Sequence, residues 1–324
     1  MALVKSLVEH VDIVVENFRP GVMTEMGLGY ADLCAIKPDI VMCSISAFGQ
    51  TGPMAENPGY DYIAQADAGI TAMIGETDGA PSIPLVGIGD VSTGVHAALA
   101  ITSAMLYHAR SGKGQHLDVN LLDVYYSYHE VNVHQHAASK GEINPTRGGQ
   151  HMAYISPAGI FKGTNGYVMV MAFMQHWKDL CAAMEKPELL NHEKFGDDAV
   201  RNEHRFELVP IIEQWLQTFP DVDSAVEKLQ KHHVPSAPIL TVADTLNNDH
   251  LQARGSVQTV QDSLAGDVTF PRMPIRFSAF PNNPDYVAPK LGEHNEEVLR
   301  GWLGKTSEEI DALTRSKIIQ SKNL

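Results

Sequence analysis

The chain is short of cysteine, short of basic residues and without a long apolar run, and each shortage narrows its function. Three cysteines, Cys34, Cys43 and Cys181, are scattered over 324 residues. So sparse and odd a set gives no disulfide framework and no metal-ligand spacing, and it fits a reducing compartment, the cytoplasm. Lys and Arg total 24 against 39 Asp and Glu, a formal charge of −15. An acidic surface of that kind repels phosphate backbones and anionic lipid, so neither nucleic acid nor a membrane surface is an expected partner. No apolar stretch reaches the length of a membrane span, and MALVKSLVEHVD carries charge too early for a signal peptide. What is present is ordinary globular material, 44% hydrophobic and 19% charged.

Periodicity along the chain alternates between strand and helix. ALVKSLVEH reads as a short helix, VDIVVEN as a strand, and PDIVMCSISAFG as a second strand after a helical stretch. Strands alternating with helices indicate an α/β fold with a parallel sheet. From Val91 to Arg110, the residues Val95, Leu99, Ile101, Met105 and Leu106 suit a mostly buried helix closed by Gly112. QHLDVNLLD has the period of a half-buried strand, and helix is expected from about Tyr125 to Pro145. GGQHMAYISPAGIFKGTNGYVMVMAF reads as a glycine loop and two strands joined by GTNG, followed by several helices.

The chemistry-bearing candidates divide by specificity. In PLVGIGDVSTGVHAALA, the glycines Gly87, Gly89 and Gly94 have the wrong spacing for a dinucleotide fingerprint, and no G-x-S-x-G elbow occurs anywhere. Asp90 in that stretch fits two roles, a helix N-cap and a reactive acid, and the local pattern alone favours the cap. His129, His134 and His136 lie close together without a completing carboxylate or thiol, and read as partly solvated helix residues with no metal. VVENFRPG sets an amide, an aromatic ring and a guanidinium at the end of a strand, where open α/β sheets bind ligands.

VVENFRPGVMTEMGLGY closely resembles a signature of the class III CoA-transferases, the CaiB/BaiF family that includes formyl-CoA transferase and carnitine CoA-transferase. ISAFGQTGP, GYDYIAQADAG, GDVSTGVHAALAI, SGKGQHLDVNLLD, VPSAPILTVADTLNNDHLQARG and LGEHNEEVL extend the resemblance in order over nearly the whole chain. It implies a Rossmann-like large domain over residues 1–147 and a smaller α+β domain over 148–279. A segment over 280–324 returns to the large domain. Asp90 falls on the catalytic nucleophile. Asn17, Phe18, Arg19 and Met26 fall on CoA contacts, with Gly59, Tyr60 and Asp61 beside the nucleophile. Gly148, Gly149 and Gln150 resemble a glycine loop over it. The implied reaction moves CoA from an acyl-CoA to a free carboxylic acid, through an aspartyl-acyl anhydride and an aspartyl-CoA thioester. CoA is then a substrate, and no permanently bound cofactor is expected. The site should exclude water, with glycines letting backbone N–H groups approach the oxyanions. Two interlocked copies of the chain, a homodimer, are implied.

Two departures qualify the resemblance. Glu25 stands where many members carry a basic residue, against a phosphate contact there. The family's N-terminal βαβ elements have no counterpart ahead of Met1, so a large domain lacking its start is expected, and an inactive remnant that only dimerises is one competitor. The other competitor is the α-methylacyl-CoA racemase branch, which abstracts an α-proton with a His where this chain has Tyr60. A phenol with pKa near 10 is poorly suited to that step, which favours the transferase.

Overall fold

Ile13–Glu16 and Val41–Ser46 are rich in β-branched and apolar residues, and both form strands in the computed structural model, which describes residues 1–262, 264–280 and 287–320. Helix α1 (Ala2–Val8) leads into β1 (Ile13–Glu16). Helices α2 (Val22–Glu25) and α3 (Tyr30–Ile36) cross to β2 (Val41–Ser46), and α4 (Asp61–Asp67) and α5 (Ile88–Ser111) cross to β3 (Gln115–Asn120). The strands pair in parallel in the order β1-β2-β3, with Glu16, Ser44 and Asp118 in one row. Parallel neighbours cannot be joined by a tight turn, so helices separate each pair. All three strands finish on the same side, and the cleft described below lies there.

Helix α6 (Leu121–Ser127) begins where β3 ends, because the Asn120 side chain accepts the Asp123 N–H at 2.8 Å and caps it. The expected run of helix to Pro145 is broken: α7 (Asn132–Ala138) is separate, and His129 lies between the two, its Nε2 2.8 Å from the Ala68 carbonyl oxygen. Strands β4 (Ala158–Lys162) and β5 (Tyr167–Met171) form the hairpin across GTNG, and β6 (Ser236–Pro238) adds to β5. Helices α8 (Gln175–Ala183), α9 (Asp198–Glu203), α10 (Arg205–Leu216) and α11 (Val222–Lys231) pack with this hairpin. Phe161, Val170, Leu180, Leu208, Ile212 and Leu229 are at the centre of the core they share.

The chain continues through α12 (Val242–Leu246), α13 (Asp249–Ala253), the antiparallel pair β7 (Val257–Asp262) and β8 (Gly266–Pro271), α14 (Asn295–Leu303) and α15 (Ser307–Arg315). It divides into two compact units, Met1–Ala237 and the chain from Pro238 onward. The boundaries that the resemblance implies, at 147/148 and 279/280, are of another kind than this division by compactness.

Helix α5 runs as expected to Gly112, whose left-handed backbone (φ 68°) ends it, but it is not mostly buried. Its buried residues are small: Gly89, Thr93, Ala97 and Ala104. These positions recur near the helical period, so the stripe they form approaches the sheet closely. The large residues point elsewhere, with Val95 63% and Leu99 65% exposed. Apolar spacing identified the helix and not the face that meets the sheet.

Candidate active site

The site is assembled at the C-terminal ends of the parallel strands. Past β1, the Asn17 amide donates to the Ile45 carbonyl at 2.8 Å, and the Phe18 N–H donates to the Glu16 carboxylate at 2.7 Å. The first bond ties Asn17 to β2, and the second folds Phe18 back on the last residue of β1. Past β2, Gly59 lies so close to the strand end that a Cβ there would meet the Ala47 Cβ at 2.5 Å and the Phe48 ring at 2.8 Å. Only glycine fits, and it delivers Tyr60, 81% exposed, to the start of α4. Asp90 enters from the first turn of α5. Together with Ser46, Thr93 and Leu121 these residues line a cleft of about 570 Å³. That volume suits a small-molecule ligand. Of the lining side chains, Arg19 carries the positive charge.

Beneath Asp90 lies a buried polar network. The Asp61 carboxylate accepts the Asp90 N–H at 3.2 Å through one oxygen and the Tyr125 hydroxyl through the other. The same hydroxyl accepts the Gly89 N–H at 2.9 Å and the Gln65 amide at 3.0 Å. Gln65 in turn accepts from the Thr71 hydroxyl at 3.1 Å. Gly89 is obligatory, since a Cβ would lie 2.3 Å from the Tyr125 ring and 2.8 Å from an Asp61 oxygen. Burial, and then the hydrogen bond to Asp61, push the Tyr125 phenol up to about 12. Partial desolvation, and then the Asp61 charge, raise Asp90 above the usual carboxylate range.

The geometry at the start of α5 excludes one of the two roles that the sequence left open for Asp90. Gly87 occupies the N-cap position of α5, and Asp90 is the third residue of the helix. Its carboxylate makes no capping bond, and it has no hydrogen-bond partner among the described residues. The cap reading is therefore corrected. Of the backbone N–H groups expected near the oxyanions, those of Gly89 and Asp90 are taken by Tyr125 and Asp61. Beside them, the Thr93 hydroxyl is buried without a hydrogen-bond partner, whereas Thr102, farther along the same helix, bonds its hydroxyl to the Ala98 carbonyl.

The remaining candidates separate. Asn17, Phe18, Arg19, Gly59, Tyr60 and Asp90 line one cleft, and Asp61 lies buried behind it. Met26 packs against the apolar cluster of Val8, Leu28 and Leu33 and does not line the cleft. Gly148, Gly149 and Gln150 do not line it either. The Gly149 N–H bonds the Gly75 carbonyl at 3.1 Å, the Arg147 guanidinium bonds the carbonyls of Glu76 and Gly79, and the Gln150 carbonyl accepts the Ile160 N–H. Tyr125, Gln65 and Thr93 were missed in the sequence. Among the described residues, no group of three His, Cys, Asp or Glu side chains is placed to hold a metal ion, and no helix is long and apolar enough to cross a membrane.

The model of CoA-transferase family III matches residues 1–295. The chain belongs to that family. It is 33% identical over 320 residues to succinyl-CoA–D-citramalate CoA-transferase of Chloroflexus aurantiacus, covering 98% of this chain and 79% of that protein. It is 35% identical over 300 residues to succinyl-CoA:mesaconate CoA-transferase of Haloarcula marismortui, covering 91% of this chain and 74% of that one. Among solved structures, a CAIB/BAIF family protein from Brucella suis superposes with a TM-score of 0.80 at 33% identity, covering 93% of this chain and 78% of that chain. The fold is the family's mixed α/β fold with a Rossmann-like sheet, and the family assigns the chain to the CoA-transferases.

Proposed function

We propose that the chain moves CoA from an acyl-CoA to a free carboxylic acid by covalent relay through Asp90. The observation that carries this reading is a carboxylate of raised basicity with no described protein partner, exposed at the positive end of a 24-residue helix and beside a cleft. An Asp90 oxygen attacks the thioester carbonyl, the C–S bond breaks, and CoA thiolate leaves an aspartyl-acyl anhydride. The thiolate attacks the aspartyl carbonyl, releasing the donor acid and forming an aspartyl-CoA thioester. The acceptor carboxylate attacks that thioester, giving a second anhydride and thiolate again. Thiolate then attacks the acceptor's acyl carbon, which yields the new acyl-CoA and restores Asp90. Asn17, Phe18 and Arg19 would hold CoA, with Arg19 supplying the charge for a phosphate. Tyr60 would flank the acyl group.

The names of the relatives pair succinyl-CoA with D-citramalate or mesaconate. Succinyl-CoA with a short dicarboxylic acid is therefore the first pair assigned to this chain, acting as a homodimer of interlocked copies. The test is a mass-spectrometric assay of succinyl-CoA against a panel of carboxylic acids, with wild type and Asp90→Asn. Wild type should form new acyl-CoA, and the variant should form none while binding CoA within a few-fold of wild type. Near-normal turnover by Asp90→Asn would remove the relay. Steady α-deuterium uptake by a chiral 2-methylacyl-CoA in deuterated water would move the chain to racemase chemistry.

A further inference from the structure

Asp90 is not held by its own side chain, so something else must fix its orientation. The start of α5 is held from outside the helix, by Asp61 of α4 and Tyr125 of α6. Tyr125 is the junction, because its hydroxyl uses one donor and two acceptor sites at once: it donates to Asp61 and accepts from Gly89 and Gln65. The ring is fully buried, and Gly89 leaves it no slack. We infer that Tyr125 is a positioning residue for the reaction at Asp90, locking Asp61 where its carboxylate holds the Asp90 backbone and places a negative charge beside the nucleophile. The inference rests on the proposed relay through Asp90. The three bonds at the Tyr125 hydroxyl are buried, and the Asp61–Asp90 bond joined to them is partly buried, so loss of the hydroxyl loosens the others.

The groups that face Asp90 are few. Asp61 and Tyr125 face it from α4 and α6, and Tyr60 and Arg19 line the same cleft. Without the Tyr125 hydroxyl, Asp61 loses a donor and is free to turn from Asp90, and part of Asp90's elevated basicity goes with it. The experiment compares wild type, Tyr125→Phe and Ile212→Val, the last a change in the distant core that lowers stability without touching the network. For Tyr125→Phe, kcat should fall about tenfold or more with the acyl-CoA KM within about twofold, as for a misplaced reactive group. The ¹³C titration of the Asp90 carboxylate, assigned by its loss in Asp90→Asn, should move down toward the ordinary aspartate range. Ile212→Val should change neither. Should Tyr125→Phe fail to fold, Gln65→Leu removes one donor to the hydroxyl and should shift both readouts the same way by less. An unchanged Asp90 titration, or a kcat drop matched by Ile212→Val, overturns the inference. A wild type that transfers no CoA would instead defeat the proposed function, and the titration would still decide the role of Tyr125.

Discussion

Around β4 and β5, eighteen buried apolar side chains form one cluster, and a fully buried guanidinium sits at its border. Arg201 donates to the carbonyls of Ser156 (2.9 Å) and Phe195 (2.8 Å), pairs with Asp198, and lies over the Trp177 ring at 4.6 Å. Around Asp90, the two nearby clusters hold five buried apolar residues each, and the buried polar groups form a chain of side chains from Thr71 to Asp61. Both regions pair most of their buried polar atoms, as the cost of an unpaired one demands, and each leaves exceptions, Trp177 Nε1 and Asn202 Oδ1 in the first and Thr93 Oγ1 in the second. They differ in where the bonds end. Arg201 ends on backbone carbonyls, the Asp198 carboxylate and the Trp177 ring, and ties loops to a core. The Tyr125 network ends on the backbone of a residue whose carboxylate is left exposed to the cleft. Buried apolar packing is concentrated in the first region, and the unpartnered carboxylate proposed to react is in the second.

The comparison breaks most visibly at Ile212, which is fully buried. Ile212→Ala should cost about 2–5 kcal/mol by the lost transfer energy and the cavity left behind. Chemical denaturation should show that loss, while kcat of the folded protein stays at the wild-type level. Gly89→Ala should cost less stability, about 1–3 kcal/mol as an overpacked site, and yet abolish most transfer. Its methyl would collide with Tyr125 and Asp61, the two groups that fix the start of α5. If Ile212→Ala lowered kcat as much as Gly89→Ala, the separation of the two regions would be wrong.

The smallest expected effect is in pH. The proposed relay needs Asp90 as the carboxylate, so transfer should fall as pH drops through its raised value, at a higher pH than an ordinary aspartate would give. Asp61→Asn removes the neighbouring charge, the lesser cause after desolvation, and should move that acid limb part of the way back down. Stability follows the matching sign. The folded state holds the Asp90 proton more tightly than the unfolded chain does. Stability is therefore lost as pH rises from the ordinary aspartate range through the raised value, and Asp90→Asn should lack that loss. Urea titrations across the window check it.

Much of this was legible in the residues. Strand and helix order followed from period and β-branching, and the family blocks brought Asn17, Phe18, Arg19, Gly59, Tyr60 and Asp90 to one cleft. Four features were not legible, for physical reasons. The apolar spacing of α5 cannot say which stripe meets the sheet, and small residues took that place. The N-cap preference of Asp is local, and Gly87 won because Asp61 and Tyr125 supply the helix start from elsewhere in the chain. Tyr125 is 64 residues from Asp61 in sequence, so no spacing rule links them. Gly148, Gly149 and Gln150 matched a family loop by type, but backbone bonds to Gly75 and Ile160 hold Gly149 and Gln150 outside the cleft lining.

The most direct test of the Asp90 relay is to trap its intermediate. Wild type is incubated with succinyl-CoA without acceptor, quenched, treated with hydroxylamine or borohydride, and digested for mass spectrometry. The peptide containing Asp90 should carry the modification expected of an aspartyl anhydride or thioester, and Asp90→Asn should carry none. Rapid turnover by wild type with Asp90 unmodified under every quench would contradict it.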